Sequence, residues 1–480
     1  MPPLKTSNPQ PLKSSKRVAS RSRHQIDWIV LSIYLALVFI GWAMIYTVGY
    51  GKGYEGNFFD FLKNPAGKQL VWVVIGLVVM FAAFLIDGKF WRTFANIIYF
   101  GCMLLLGLVL VLGKEINGAT AWFDFGGGVT IQPSEFAKFG TIVALASYLG
   151  AYANNLKSFK SQLYAFSFFF VPMILLLLQP DAGSALVFMS LQLVLFREGL
   201  PGSILVVELC AGAVLAAGLV TPPAELIMVL SAIGALILVW NTEKRAYWLS
   251  GFIILVTAGV IGVQYNQPMI VLAGAISILL GLCIYQWLHK KQRLTALVLG
   301  AFLISSALGS VANLGFNALP RHQQERILVW LKPSEADPQG AAYNLNHSKM
   351  AIASGGLTGK GFLEGSFTQG NFVPEQTTDF IFCAVGEEQG FIGVIFIISL
   401  YLGLMMRIVV IAERQRSDLS RLYAYGVASV LFVHFFINIG MTMGLMPIIG
   451  IPLPFLSKGG SSLLAFSIMI GVLLKLDSEK

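Results

Sequence analysis

The chain has 480 residues, of which 56% are hydrophobic and only 12% charged, and its mean hydropathy is +0.74. No soluble core needs that much apolar sequence, so the composition excludes a soluble globular protein and sets the class as an all-α polytopic membrane protein. The net charge of +9 does not indicate nucleic acid, because most basic residues lie in short loops between apolar runs, where they act as orientation signals.

Residues 1–26 form a basic, Ser/Pro-rich tail expected in the cytoplasm, and the first apolar run, Trp28 to Val48, is long enough to span and stay in the membrane. About fourteen spans are expected, at roughly 27–48, 68–87, 93–113, 134–153, 163–179, 183–197, 202–220, 224–240, 246–263, 269–288, 293–315, 381–412, 420–446 and 461–475. With both termini in the cytoplasm, Lys89/Arg92, Lys157/Lys160, Arg197, Lys244/Arg245, Lys290/Lys291/Arg293 and Arg414/Arg416/Arg421 all fall inside. The expected organisation is an N-terminal membrane core at 27–199, extra spans at 200–290 and a C-terminal core at 291–480. Cys102, Cys210, Cys283 and Cys383 lie far apart in or beside apolar segments and read as core packers, not as a disulfide framework.

One external loop, 316–380, is far longer than the others, and Ile327, Leu328, Trp330, Met350, Ile352 and Phe362 recur through it. A long loop with its own apolar content is expected to fold over a site. It ends in PEQTTDFIFCAVGEEQG, where Glu375, Asp379, Glu387 and Glu388 crowd the start of an apolar helix. A lipid-facing carboxylate costs about 2.5–3.5 kcal/mol on insertion scales. A helix beginning near Thr378 would put Asp379, Cys383 and Glu387 on one inward face. Capping of that helix by Thr377, Thr378 or Asp379 is the plainer alternative, but it leaves Glu387 and Glu388 unexplained.

Basic residues in external loops are out of place, which marks Arg321, Arg326, Lys349, Lys360 and Lys458. Beside the Gly355–Gly356 and Gly359–Lys360–Gly361 turns they suit an anionic ligand, or else are a solvated surface. In MPIIGIPLPFLSKGGSSLL, Pro447, Pro452 and Pro454 forbid a regular helix. Ser461 and Ser462 then open the last span, either to hold an anion or simply to cap it. In TIQPSEFAK, Glu135 and Lys138 can pair. In LQPDAGSALV, Asp181 can cap its helix. Trp122 sits in an outer loop, where membrane anchoring is the ordinary use of tryptophan.

Taken in order, AWF, QPSEFAK, QPDAGSALV, ERILVWLKPSEADPQGAAYN, SKMAIASGGLTGKGFLEG, PEQTTDFIFCAVGEEQG and NIGMTMGLMPIIGIPLPFLSKGGSS resemble the SEDS family (shape, elongation, division and sporulation). The resemblance covers nearly everything outside about 200–290. It implies a peptidoglycan glycosyltransferase acting in cell elongation. Such an enzyme polymerises lipid II, the undecaprenyl-pyrophosphate-linked disaccharide pentapeptide, at the outer face of the cytoplasmic (inner) membrane. The implied partners are a class B penicillin-binding transpeptidase and other elongation-complex membrane proteins, with no nucleic acid.

The resemblance places the essential aspartate at Asp379 and the loop tryptophan at Trp122. Three departures accompany it. The family has ten spans, so four are extra, Lys458 stands where the family commonly has Tyr, and Thr120 and Ala121 replace the basic residue that often precedes the tryptophan. Asp379 is expected to be the general base, with a pKa raised by desolvation. Trp122, Arg326, Lys349, Lys360, Glu375, Lys458, Ser461 and Ser462 are expected to bind substrate, and Glu135, Lys138, Asp181, Glu387 and Glu388 to support the site. A divalent cation (Mg2+ or Mn2+) is a candidate cofactor, with no organic cofactor. The alternatives are a flippase for the same lipid, which needs polar groups through the full membrane depth, and a non-catalytic scaffold.

Overall fold

The computed structural model describes residues 26–50, 58–116, 118–126, 129–152, 156, 158–241, 268–289, 291–319, 321–335, 337 and 340–479. Among these, eleven helices are long and apolar enough to cross a membrane. They account for eleven of the expected spans. Of the other three, 134–153 is the helix Pro133–Tyr152, which carries Glu135 and Lys138 into the interior. The segment 183–197 is not one continuous helix: Ala182–Phe188 and Gln192–Arg197 are joined by a tighter turn at Met189–Leu191. The span expected at 246–263 and the tail through residue 25 lie outside the described residues.

Proline sets several starts. Pro65, Pro133 and Pro223 each occupy the first turn of a helix, where the missing N–H costs nothing. The main core is packed where Gly460–Ser478 lies on Pro65–Leu85, Gly88–Leu112 on Pro133–Tyr152, and Ile381–Arg414 on Asp418–Met443. The helices Gly202–Val220, Pro223–Trp240, Pro268–Leu288 and Gln292–Ala318 pack chiefly on one another. Their own small core is built on Ala235, Leu238, Leu279, Leu282 and Val298. All four cysteines are free thiols; three are buried, while Cys210 is exposed.

The expectation of an all-α chain needs one correction. Lys114–Ile116, Ala119–Asp124 and Thr130–Ile131 form a three-stranded antiparallel sheet, with the middle strand carrying Trp122. Alternating Thr120, Trp122 and Asp124 against Ala121 and Phe123 is strand-like patterning over too short a run to stand out in an apolar chain.

The long loop folds as helices Arg321–Leu331, Ala341–Ser354 and Ser366–Gln369 over a core of Val329, Leu345, Ala351, Val373, Phe380 and Ile448. Met350 and Phe362 of the same loop are exposed.

The helix Ile381–Arg414 is interrupted at Gly390, whose φ of 62° and ψ of −164° are not helical. The loop after Ser354 bridges the gap. Lys360 N–H donates to Glu387 O at 3.0 Å and Gly361 N–H to Glu388 O at 3.0 Å, while Phe391 N–H and Ile392 N–H donate to Gly356 O (2.9 Å) and Leu357 O (3.1 Å). Backbone groups freed by the break are thereby satisfied inside the protein, as a membrane-embedded interruption requires. A Cβ on Gly390 would sit 2.2 Å from Gly359 N. Gly390→Ala is therefore expected to abolish accumulation of folded protein, measured as monodisperse yield after detergent extraction.

Opposite charges cluster at one end of the bundle. Arg407 and Arg414 hold Asp27, Arg414 also holds Asp477, Arg421 pairs with Glu198 and Asp418, and Arg197 pairs with Glu413. Several of the arginines expected on a single side thus share one end.

Candidate active site

Residues 374–380 are a run of turns, and the helix that follows starts at Ile381 with Phe380 as its cap and no side-chain capping bond. Capping by Thr377, Thr378 or Asp379 does not occur. The backbone of these residues is instead held from the proline-broken segment before the last helix. Ser457 Oγ donates to Thr378 O, Lys458 N–H donates to Thr377 O at 2.8 Å, and Asn438 Nδ2 donates to Asp379 O at 2.9 Å.

The Asp379 carboxylate makes no hydrogen bond or ion pair among the described residues, although the residue is only partly exposed. Burial, then the nearby charge of Glu375 and that of Asp181, push its pKa up to about 7 against the opposing pull of Arg326. The side chain faces Gly450, where a Cβ would stand 3.3 Å from Asp379 Oδ2 and 3.9 Å from Arg326 Nη1. Gly450 has φ of 75°, a left-handed conformation that strains any residue with a side chain, and a Cβ there would also press on the Asp379 carboxylate. Glu375 is exposed and accepts from Thr378 Oγ1 at 2.9 Å.

The other proline-started segments meet here. Asp181 caps its helix by accepting from Ser184 N–H at 3.0 Å, and its second oxygen accepts from Gln132 Nε2 at 3.0 Å. Gln132 N–H donates to Ser461 Oγ at 3.0 Å, and Ser461 reaches Thr130 O at 3.4 Å, so the buried Ser461 ties the small sheet to the last helix. Ser462 is buried beside it. Trp122 is half-buried on the middle strand, opposite Lys114.

The other candidates make contacts of their own. Lys360 Nζ lies 2.7 Å from Glu387 Oε1, and the fully buried Glu387 also accepts from Phe367 N–H, Thr368 N–H, Thr368 Oγ1 and Ser366 Oγ. Glu388 is equally buried. The Leu363 N–H and the Thr47 hydroxyl face its carboxylate without a well-formed hydrogen bond. Lys349 lies against Gly444, where the helix Asp418–Met443 ends and a cation complements the helix dipole. Glu135 and Lys138 do pair, at 2.8 Å, and both are buried. Lys138 Nζ also lies 2.9 Å from His434 Nε2.

Asn438 and Gln132 were passed over in the sequence, although each contributes a side-chain bond that builds the site. The available signal was a carboxamide inside or at the edge of an apolar span, where an unpaired amide is costly. No group of three His, Cys, Asp or Glu side chains able to hold a metal exists among the described residues. Asp181 already commits both oxygens, so the residues near Asp379 do not fit a protein-only divalent cage.

Comparison with known proteins accords with these features. A family model described as "Cell cycle protein", spanning FtsW, RodA and SpoVE, matches residues 27–228 and 223–480. The peptidoglycan glycosyltransferase RodA of Treponema pallidum (strain Nichols) is 32% identical over 96% of this chain and 99% of its own. The peptidoglycan glycosyltransferase MrdB of Escherichia coli (strain K12) is 28% identical over 95% of this chain and 94% of its own. Among solved structures, a chain from "Structural coordination of polymerization and crosslinking by a peptidoglycan synthase complex" superposes with a TM-score of 0.61 at 25% identity, over 95% of this chain and 98% of that one. The fold is also that of Thermus thermophilus RodA, with a TM-score of 0.52 and 23% identity over 94% of this chain and 96% of that one. Matched along nearly its whole length, the chain belongs to the FtsW/RodA/SpoVE family of cell cycle proteins.

Proposed function

We infer that this chain is a multi-pass membrane peptidoglycan glycosyltransferase, the activity named for its full-length relatives, and we propose that it polymerises lipid II with Asp379 as the general base. The supporting observation is the state of that carboxylate. It is desolvated, uncommitted, fixed through its own backbone, and set across a glycine from Arg326. A sugar hydroxyl is a poor nucleophile until its proton is removed, and a base with a pKa near 7 is matched to that task. Inversion from an α-linked donor to a β-linked product needs one displacement, so one carboxylate suffices. Arg326 is the cation best placed to steady the departing pyrophosphate. A divalent cation would have to arrive with the pyrophosphate, whose oxygens would be its ligands.

We propose fourteen spans, with the site and the loop 316–380 outside the cytoplasmic membrane and both termini inside. A class B penicillin-binding transpeptidase and other elongation proteins are the proposed partners. A solved relative is a chain of a complex that coordinates polymerization and crosslinking. The flippase reading gains little, because the deeper polar residues His434 and Glu208 are each engaged, by Lys138 and by Gln192.

The electrostatics give a test of opposite sign. The base works deprotonated, so the polymerisation rate should rise with pH through about 7. Glu375→Gln removes a negative neighbour and should move this acid limb to lower pH. Arg326→Ala should move it to higher pH while cutting the plateau rate by about 10²–10³-fold. A pH–rate profile of each variant on purified lipid II reads both effects, and limbs that shift together would contradict the assignment.

A further inference from the structure

The segment between Met446 and Gly459 has three prolines and no helix, so its carbonyls lack a regular internal partner. Three carbonyls in it are taken by side chains from two neighbouring helices. Asn438 Nδ2 donates to Ile451 O at 2.7 Å, His434 Nδ1 lies 3.0 Å from Pro452 O, and Tyr401 OH donates to Pro454 O. His434 and Asn438 are one turn apart on the helix Asp418–Met443. A carbonyl can only accept, so His434 Nδ1 carries the proton. Its Nε2 then offers a lone pair, which faces the Lys138 ammonium at 2.9 Å. That ammonium is held on its other side by Glu135 at 2.8 Å. All three side chains are buried, so the tautomer is set by the pair of partners and not by solvent.

The carbonyl that this tautomer-locked imidazole holds, that of Pro452, lies two residues from Gly450, the glycine that Asp379 faces. The Asn438 carboxamide joins the same proline segment to the Asp379 backbone. We propose that His434 is a positioning residue of the glycosyl-transfer site: oriented by Lys138, its imidazole fixes the Pro452 carbonyl and so holds the Gly450 turn closed against the Asp379 carboxylate. The proposal rests on the reading of Asp379 as the base. The groups that set the carboxylate's charge balance, Glu375, Arg326 and Asp181, are untouched by substitutions at His434.

The test uses the purified full chain polymerising lipid II, with KM, kcat and the pH–rate profile measured for two variants. His434→Leu frees the Pro452 carbonyl. It should lower kcat by about 10²-fold, as misplacement of a reacting group by about 1 Å does, with KM within about twofold. The acid limb should move to lower pH as water reaches Asp379. His434→Asn keeps an N–H donor near the Nδ1 position and should restore most of kcat and the original limb.

Equal impairment of the two variants, a wild-type rate in His434→Leu, or a lowered kcat with an unmoved limb would each overturn the proposal. If His434→Leu does not yield folded protein, Asn438→Ala cuts the second anchor of the same segment and is read by the same measurements. Asp379→Asn run alongside separates the two levels. Its retained activity would overturn the base assignment itself. An inactive Asp379→Asn beside an unimpaired His434→Leu would overturn only the positioning role.

Discussion

Asp379→Ala and Asp379→Asn should each reduce lipid II polymerisation by at least about 10²–10⁴-fold, the usual contribution of a general base, and both should still fold. Folding survives because the segment is gripped by its main chain. Asn438, Ser457 and the Lys458 N–H bind the carbonyls of residues 377–379, and the carboxylate takes no part among the described residues. The Asn variant should in fact be the more stable one at neutral and alkaline pH. A carboxyl group raised from 3.8 to about 7 by burial contributes its stability when protonated, below about 4, and loses it as pH rises through about 7. Asn cannot ionise and escapes that loss. The gap in Tm between Asp379→Asn and the parent should therefore open between about pH 4 and 7 and then level off. A Tm difference independent of pH would show that the carboxylate is not desolvated as described.

The second large effect is expected at Glu387. It is fully buried and satisfies five donors: Lys360 Nζ, Ser366 Oγ, Phe367 N–H, Thr368 N–H and Thr368 Oγ1. Removing one partner of a buried, hydrogen-bonded ion pair costs about 3–5 kcal/mol, a large share of the roughly 5–15 kcal/mol that keeps a domain folded. Glu387→Ala should therefore lose the loop's packing and lower Tm sharply. Lys360→Ala leaves four donors on the carboxylate and should lower Tm less, with KM for lipid II unchanged. A raised KM at an unchanged Tm would instead return Lys360 to the substrate.

Much of this architecture could be read from residue order. Apolar length and basic loops located most of the spans, because both depend on local composition and on the cost of burying charge, whereas Asp379 was singled out by the family resemblance. What escaped was determined by tertiary partners. Glu387 and Lys360 each stood out as a charge in the wrong place, but only the break at Gly390 brings them together. The capping expectation at Thr377 to Asp379 failed because tertiary bonds to Asn438 and Ser457 hold that backbone in turns through Phe380. The span at 183–197 is broken by a local tightening at Met189–Leu191 that no proline or glycine announces. His434 lies in an apolar run, but its value lies in which nitrogen carries the proton, and that is fixed by Pro452 and Lys138 from other parts of the chain.

The splice across Gly390 is written entirely in main-chain atoms: four N–H groups and four carbonyls, two of each from either side of the joint. Side chains at Leu357 and Thr358 play no part in those bonds, so the segment can change its spelling without changing its grammar. Its length is another matter. One residue more or fewer between Gly356 and Gly361 would throw the two pairs of bonds out of step and leave the amide groups on both sides of the break without their partners.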